Sequence, residues 1–254
     1  MDISGRNILL TGASGGIGQA IARELARLGG RLTITARNEQ QLERLSKDLG
    51  AAVLVADLRN RSDLDEVAKV AAGCDIVIAN AGVGGDRGVE EMTREQIDSS
   101  IDVNLRAPVV MATEFSQAHL ADGRPGQIVF IGSLAGVTAS PKARLYNATK
   151  FGLRGFSFAL RQDLHGTGIG VSIVEPGFIR DAGMFADSNI ELPPGVRTKS
   201  PEDVARAVTR AIGSDLAEVY VAPIEMRLAT ALGAMAPQMG ATVQRLLGAA
   251  DRVK

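Results

Sequence analysis

A tyrosine and a lysine stand four residues apart, a spacing that places both side chains on one face of a helix. They are Tyr146 and Lys150, in the run Tyr-Asn-Ala-Thr-Lys. At an effective dielectric of 20, a lysine cation about 5 Å from a phenol favours the phenolate by about 3 kcal/mol, which is roughly two pKa units. Such a tyrosine would exchange protons efficiently near neutral pH. Tyr-x-x-x-Lys also arises by chance, but the chain has only two tyrosines, Tyr146 and Tyr220.

A glycine-rich run, Thr11-Gly12-Ala13-Ser14-Gly15-Gly16-Ile17-Gly18, separates the first predicted strand from the first predicted helix. Glycines allow a sharp turn and a close approach of the backbone to a pyrophosphate, and the helix N-terminus offers free N–H groups. The run therefore predicts a dinucleotide site that includes Gly12, Ser14, Gly15, Gly16, Ile17 and Gly18. A glycine-rich turn without a ligand is the alternative.

The residues after the second predicted strand indicate which dinucleotide is preferred. An acid often stands there to hold the adenosine ribose, but this chain has Ala36-Arg37-Asn38. Nothing at position 36 repels a 2′-phosphate, and the Arg37 guanidinium can pair with one. We expect NADP(H) to be preferred over NAD(H). A solvent-exposed loop arginine is the alternative.

Strand-like and helix-like segments alternate along the chain and predict a doubly wound, Rossmann-type α/β fold, with a mainly parallel seven-stranded sheet and helices on both faces. Predicted strands are Asn7–Thr11, Arg31–Ala36, Ala51–Ala56, Asp75–Ala79, 127–132, 169–174 and 218–222. Predicted helices are Gly16–Leu28, Glu39–Leu49, Ser62–Ala72 with Ser62 as N-cap, 94–121, 145–165 and 201–213. Such sheets bind ligands at the carboxyl ends of the strands, which is where Ser133 falls.

The composition excludes several classes of protein. A net charge of −1 gives no reason to expect nucleic acid as a partner. One cysteine and two histidines make a metal site unexpected, so no metal is predicted. The sequence shows neither a signal peptide nor a run of about 20 apolar residues, and we expect a cytoplasmic protein. Without a break in composition, residues 1–254 are predicted to form a single domain.

These motifs together resemble the compact, single-domain branch of the short-chain dehydrogenase/reductases, over about residues 5–222. The family pattern Thr-Gly-x-x-x-Gly-x-Gly matches Thr11–Gly18, Asn-Ala-Gly matches Asn80-Ala81-Gly82, and a helix asparagine matches Asn104. A serine thirteen residues before the tyrosine matches Ser133, Tyr-x-x-x-Lys matches Tyr146 with Lys150, and Pro-Gly matches Pro176-Gly177. Each motif is modest alone, but six occur in order at similar spacings.

The resemblance implies a hydride transfer between NADP and a carbonyl or alcohol carbon, and it implies roles for individual residues. Tyr146 would be the general acid or base, and Lys150 would lower its pKa and bind the nicotinamide ribose. Ser133 would hydrogen-bond the substrate oxygen, and Asn104 would hold a water in a proton relay. The residues bordering the cofactor would be Arg37, Asn38, Asp57, Leu58, Asn80, Ala81, Gly82, Pro176, Gly177 and Ile179.

One position departs from the family pattern Pro-Gly-x-x-x-Thr. The chain has Asp181 in place of the threonine that contacts the nicotinamide amide. An ionised aspartate accepts hydrogen bonds but cannot donate one. This change leaves open the behaviour of the long stretch 181–199, which is predicted to be a substrate lid.

Two other functions remain as alternatives. A sugar-nucleotide epimerase or dehydratase of the longer branch would share Tyr-x-x-x-Lys, but the glycine spacing and the short chain after Lys150 oppose it. A regulatory protein that binds a dinucleotide without turnover would not need Ser133, Tyr146 and Lys150 together. The substrate is a small carbonyl or alcohol compound that the sequence does not identify. His119, His165 and Cys74 are expected to be structural.

The C-terminal tail, 223–254, is predicted to be helical, and its part Leu228–Gln244 carries no charge. It could pack on its own subunit or across an interface, form a wall of the substrate mouth, or touch a membrane surface. The predicted helix 145–165 is apolar over more than one face, with Phe151, Leu153, Phe156, Phe158, Ala159 and Leu160. We therefore expect a homodimer or homotetramer, the alternative being that both apolar faces pack inside one subunit.

Overall fold

The computed structural model describes residues 1–84, 88–181 and 197–246. A single parallel sheet lies at the centre of the fold. Seven strands pair in the order β3-β2-β1-β4-β5-β6-β7 within these ranges, and every pairing is parallel. The strands are β1 (Asn7–Thr11), β2 (Arg31–Ala36), β3 (Ala52–Val55), β4 (Ile76–Ala79), β5 (Gly126–Ile131), β6 (Ile169–Pro176) and β7 (Glu218–Val221). The doubly wound, seven-stranded α/β fold expected from the sequence is confirmed.

Helices cover both faces of this sheet. They are α1 (Gly16–Arg27), α2 (Glu39–Leu49), α3 (Arg61–Gly73), α4 (Arg94–Ile101), α5 (Ala107–Asp122), α6 (Arg144–Asp163), α7 (Pro201–Ser214), α8 (Ile224–Met235) and α9 (Pro237–Leu246). The described residues also form two single 3₁₀ turns, Val89–Glu91 and Leu134–Gly136, between these elements.

The strands divide the apolar core into two layers, because successive side chains of a strand point to opposite faces. In β1, Ile8 and Leu10 pack in the layer beneath α1, α2 and α7, whereas Leu9 packs in the layer beneath α3, α5 and α6. Phe115 and Phe130 lie fully buried in the second layer. With both faces covered, the central strands are mostly apolar, and their carboxyl ends are left to carry polar chemistry.

The third helix begins differently from the sequence prediction. The expected cap, Ser62, is wrong: α3 begins at Arg61, and the Oδ1 atom of Asn60 accepts a hydrogen bond from the Ser62 N–H at 3.0 Å. Asparagine and serine are both good caps, so residue type alone did not separate the two positions.

The helix predicted near 94–121 is interrupted by one π-helical turn, Asp102–Arg106, between α4 and α5. Such turns occur frequently at functional sites, because they shift the side chains relative to a regular helix. Asn104 lies at the centre of this turn and is almost completely buried.

His119 and Cys74 occupy structural positions, as expected. The His119 ring stacks on Phe115, and its two nitrogens lie 2.9 Å from the Cys74 carbonyl oxygen and 3.3 Å from that of Arg124. Burial raises the pKa of the Cys74 thiol to about 11, which keeps it protonated.

The tail is helical as far as the description extends, in α8 and α9, and residues 247–254 lie outside the described ranges. No helix among the described residues is long and apolar enough to cross a membrane. One face of α8 packs inward at Thr230 and Gly233, whereas large apolar side chains on its other face are exposed, namely Ile224, Leu228, Leu232 and Met235.

Candidate active site

The glycine-rich loop lies so close to its neighbours that larger residues would not fit. Gly12 has a φ of +66°, and a Cβ atom there would lie 2.7 Å from the Cα of Ala81. A Cβ on Gly18 would lie 2.2 Å from the carbonyl oxygen of Gly12. Gly15 precedes α1 without a side-chain cap, and the first turn holds no acidic residue. The backbone N–H groups of the first turn of α1, from Gly16 onward, can therefore bind an anion such as a pyrophosphate.

Thr11 joins the glycine loop to the segment after β4, a role that sequence reasoning did not assign to it. Its hydroxyl oxygen accepts hydrogen bonds from the N–H groups of Asn80 (3.1 Å) and Ala81 (3.0 Å). The Asn80 side-chain amide donates in return to the carbonyl oxygens of Thr11 (3.0 Å) and Gly12 (3.1 Å). These bonds place Asn80-Ala81-Gly82 beside the glycine loop, and their contact with the cofactor stays a prediction.

The ends of β1, β2 and β3 meet at the predicted adenosine side of the site. Hydrogen bonds run from Ala13 N–H to the Thr35 carbonyl oxygen (3.2 Å) and from Ala56 N–H to that of Ala36 (3.1 Å). Arg37 is exposed there, and it forms no ion pair with any other described residue.

Three further residues predicted for this side have defined places. The hydrogen bonds from Arg59 hold the pKa of Asp57 below its ordinary value, and Arg37 acts in the same direction. The side chain of Asn38 caps α2 by accepting from the Gln41 N–H at 3.1 Å, while Leu58 is buried.

Asn104 links the segment after β4 to α6. Its Oδ1 accepts from the Val83 N–H (2.7 Å), and its Nδ2 donates to the Val83 carbonyl oxygen (2.8 Å) and to the Thr149 hydroxyl (3.3 Å). A Cβ on Gly82 would lie 3.4 Å from Asn104 Oδ1 and 3.9 Å from Lys150 Nζ. Asn104 and Lys150 are thus neighbours, and the water relay expected through Asn104 stays a prediction.

Ser133, Tyr146 and Lys150 come together where β5 ends against the start of α6. The Ser133 hydroxyl accepts a hydrogen bond from the Ala135 N–H (3.1 Å) and is itself hydrogen-bonded to Tyr146. The buried Lys150 donates from Nζ to the carbonyl oxygen of Ile131 at 2.8 Å, and Nζ lies 5.6 Å from the centre of the Tyr146 ring. The three side chains predicted to carry the chemistry therefore share one site.

The expected lowering of the Tyr146 pKa by Lys150 is wrong for this structure. Burial raises the pKa of Tyr146 to about 12, although the hydrogen bond from Ser133 acts in the other direction, and the nearby Glu175 carboxylate raises it further. Burial also lowers the pKa of Lys150 to about 8, so the lysine is a weaker cation than assumed. Sequence reasoning knew the spacing of the pair but not its desolvation, and it missed Glu175.

The end of β6 forms another side of the site. A Cβ on Gly177 would lie 2.8 Å from Met226 Sδ of α8 and 3.1 Å from Leu134 Cδ1, so the chain passes here between the tail and the 3₁₀ turn. Pro176 ends β6, and Ile179 is buried in the core.

Asp181 begins the stretch predicted to be a lid and has a φ of +67°, which is uncommon for a residue other than glycine. It pairs with Arg180 at 3.3 Å. Residues 182–196 of the predicted lid lie outside the described ranges. Where the description resumes, Arg197 pairs with Glu225 of α8 at 2.8 Å.

Within the described ranges no group of three His, Cys, Asp or Glu side chains is arranged to hold a metal ion.

Comparison with known proteins gives one consistent family. The short chain dehydrogenase family model matches residues 6–192. The 3-oxoacyl-[acyl-carrier-protein] reductase FabG of Rickettsia bellii is 36% identical over 217 residues, which cover 82% of this chain and 89% of that protein. The ketoacyl reductase HetN of Nostoc sp. is 31% identical, with 98% of this chain and 91% of that protein covered.

Solved structures agree with these relatives. A short-chain dehydrogenase from Sphingobium yanoikuyae in complex with NADPH superimposes with a TM-score of 0.78 at 28% identity, covering 92% of this chain and 95% of that one. A metagenomic short-chain oxidoreductase in complex with NADP gives a TM-score of 0.73 at 31% identity, with coverages of 88% and 99%.

The Thr11 hydroxyl provides a test of how the cofactor loop is held. We expect Thr11→Val to lower the free energy of unfolding by about 1–3 kcal/mol, because the N–H groups of Asn80 and Ala81 lose their acceptor. The loop should also bind NADPH more weakly. Thr11→Ser keeps the hydroxyl and should lose only the contribution of one buried methyl group, about 1 kcal/mol.

Urea denaturation at fixed protein concentration and NADPH titration by fluorescence measure the two effects. Equal stability and equal NADPH affinity of the valine and serine variants would contradict this role of Thr11.

Proposed function

The chain belongs to the short-chain dehydrogenase/reductase family of oxidoreductases, which act on C=O and CH–OH groups with a nicotinamide cofactor, and we propose that it reduces a carbonyl compound with NADPH, using Tyr146 as the proton donor. The observation that carries the proposal is the meeting of Tyr146 with Ser133 at the end of β5, beside Lys150 and the glycine loop. A protein that only bound a dinucleotide would have no use for this arrangement.

The glycine loop and the start of α1 would hold the pyrophosphate, and Lys150 would bind the nicotinamide ribose. The bound nicotinamide supplies the hydride in reduction and accepts it in oxidation. The Ser133 hydroxyl would donate to the substrate oxygen as negative charge develops on it. Tyr146 would then give its proton to that oxygen, leaving a phenolate on the protein and an alcohol as the product.

The ionisation of Tyr146 favours reduction as the principal direction. With a pKa of about 12, the phenol retains its proton throughout the neutral range. A reduction needs this protonated form, because the acid must carry a proton to donate. An oxidation needs the phenolate, which burial beside Glu175 disfavours.

The cofactor preference rests on Arg37, an exposed guanidinium at the end of β2 with no acid at position 36. We expect the wild-type protein to bind NADPH about 10- to 150-fold more tightly than NADH, because a hydrogen bond to a charged group contributes about 1.5–3 kcal/mol. Combining Ala36→Asp with Arg37→Ile should shift the preference toward NADH.

Titration with both reduced cofactors measures this preference. The matched control is Arg44→Ala, which removes a different exposed arginine, on α2. It should keep the wild-type ratio of NADPH affinity to NADH affinity. Equal affinities of the wild-type protein for the two cofactors would overturn the assignment.

The proton donor is tested by removing one oxygen atom. We expect Tyr146→Phe to lower the rate of carbonyl reduction by about 10²- to 10⁴-fold, the usual contribution of general acid catalysis, with NADPH affinity nearly unchanged. Lys150→Ala should impair both turnover and NADPH binding. A Tyr146→Phe protein that kept more than about a tenth of the activity would remove tyrosine from this role.

The substrate must be found by a screen of ketones, aldehydes and secondary alcohols, followed by the absorbance of the reduced cofactor. Because two relatives are named 3-oxoacyl or ketoacyl reductases, a short 3-oxoacyl thioester belongs in the first set. We propose that α8 forms one wall of the substrate mouth, since Met226 lies against Gly177 and Gly233 lies against Thr138. The stretch 181–199 would be its lid.

We also propose that the chain assembles as a homodimer or homotetramer through α5 and α6. One part of the apolar surface of α6 covers the sheet, since Leu153 is buried and Phe156 meets Phe130 edge to face. Phe151, Gly155 and Ala159, at i, i+4 and i+8, are exposed on α6 and form a flatter strip. Small residues at this spacing let two helices approach closely.

Light scattering at micromolar concentration tests the assembly. We expect two or four times the 26.6 kDa of one chain. Phe151→Glu should reduce that mass, whereas Gln40→Glu, at an exposed position on α2 outside the proposed interface, should not. A wild-type mass near that of one chain would refute the proposal.

A further inference from the structure

Glu175 is a fully buried carboxylate one residue before the end of β6, and its hydrogen bonds have not entered the roles given above. Its Oε2 accepts a short hydrogen bond from the backbone N–H of Ser133. A Cβ on Gly132 would lie 2.2 Å from the same oxygen, so the backbone of the serine segment passes directly over the carboxylate.

The segment 131–133 is held from two sides. The Ile131 carbonyl oxygen accepts from Lys150 of α6, and the Ser133 N–H donates to Glu175 of β6. The serine hydroxyl that meets Tyr146 is therefore fixed by one basic and one acidic side chain, each bound to the backbone on one side of Gly132.

The positive charges near Glu175 do not fully balance the negative charge of its carboxylate. From α6 it faces Tyr146, Lys150 and Arg154, and from β7 it faces Glu218 and Tyr220. Arg154 gives its hydrogen bonds to Glu218 at 2.7 Å and 3.4 Å, and its Nε lies 3.9 Å from Glu175 Oε1. Oε1 has no hydrogen-bond partner among the described residues.

We propose that Glu175 is a positioning residue for the reaction: it holds the serine segment through the Ser133 N–H, and its negative charge keeps the proton on Tyr146. This inference rests on the proposed roles of Ser133 and Tyr146. Burial and the nearby Glu218 raise the pKa of Glu175 to about 8. Near pH 7 it is mostly neutral and acts through the hydrogen bond alone, while above pH 8 its charge opposes ionisation of Tyr146.

The charge is tested without turnover, since the chain has no tryptophan and only two tyrosines. In a Tyr220→Phe background, alkaline titration of the tyrosinate absorbance reports Tyr146 alone. Glu175→Gln keeps an acceptor for the Ser133 N–H but carries no charge, so Tyr146 should ionise at lower pH. Glu202→Gln, an exposed carboxylate on α7, should leave the titration unchanged. An identical titration of the Glu175→Gln protein would overturn the electrostatic role.

The hydrogen bond is tested by the kinetics of carbonyl reduction. Glu175→Ala should lower kcat by about 100-fold at pH 7, the loss that a displacement of about 1 Å can cause, with little change in the Kd for NADPH. Glu175→Gln should keep most of kcat at pH 7. In the alkaline range, its kcat should begin to fall at a lower pH than that of the wild type. Wild-type kcat in the alanine variant would overturn the positioning role.

Two further comparisons keep the test decisive. If the alanine variant does not fold, Glu175→Asp replaces it, because the charge is retained while the shorter side chain draws back from Ser133, and kcat should fall without a matching change in the tyrosinate titration. An active Tyr146→Phe protein would refute the proposed function itself. An inactive Tyr146→Phe protein with wild-type behaviour of every Glu175 variant would refute only this inference.

Discussion

The hydrogen bond from Lys150 to the carbonyl oxygen of Ile131 fixes how helix α6 lies against the end of strand β5. Tyr146 is one turn earlier on that helix, and Ser133 is two residues beyond that carbonyl. Since this hydrogen bond helps to set the distance between the two elements, the position of the lysine matters for geometry as well as for charge. Burial disfavours the charged form of the lysine, and the pKa of Lys150 therefore falls to about 8.

The site is an assembly of strand ends rather than of any one segment. Thr11 closes β1 onto the segment after β4, Asn104 joins that segment to α6, and Glu175 of β6 holds the residue after Gly132. Most of these links are hydrogen bonds between a side chain and the backbone of another element, and the bond from Asn104 to Thr149 of α6 joins two side chains. Such links tolerate little displacement, and they give the glycine loop and Tyr146 a fixed relation across several crossovers.

The sequence was sufficient for the framework. Apolar runs such as Asn7–Thr11 and Ile128–Ile131 predict buried parallel strands, because both faces of the sheet are covered and each run needs no polar alternation. The motif spacings then placed Ser133, Tyr146 and Lys150 in one cleft. Local features could not be predicted as well. Asn60 rather than Ser62 caps α3, and no periodicity in the sequence indicates the π-helical turn at Asn104.

Electrostatics was where sequence reasoning was least successful. The pKa of a tyrosine depends on how much water reaches it and on charges from distant parts of the chain, here Glu175, 29 positions after Tyr146. Neither is visible in a four-residue spacing. The motif correctly predicted which residues meet, whereas the direction of the pKa shift required the three-dimensional surroundings.

The central claim, that this site transfers a hydride to a carbonyl carbon while Tyr146 supplies the proton, is tested most directly by isotope tracing. A ketone reduced with NADPH deuterated at the transferable nicotinamide position should give an alcohol with one deuterium on the carbinol carbon, detected by mass spectrometry. The same reaction with the Tyr146→Phe protein should give almost no product. An alcohol without that deuterium, or equal labelled product from the phenylalanine variant, would contradict the account.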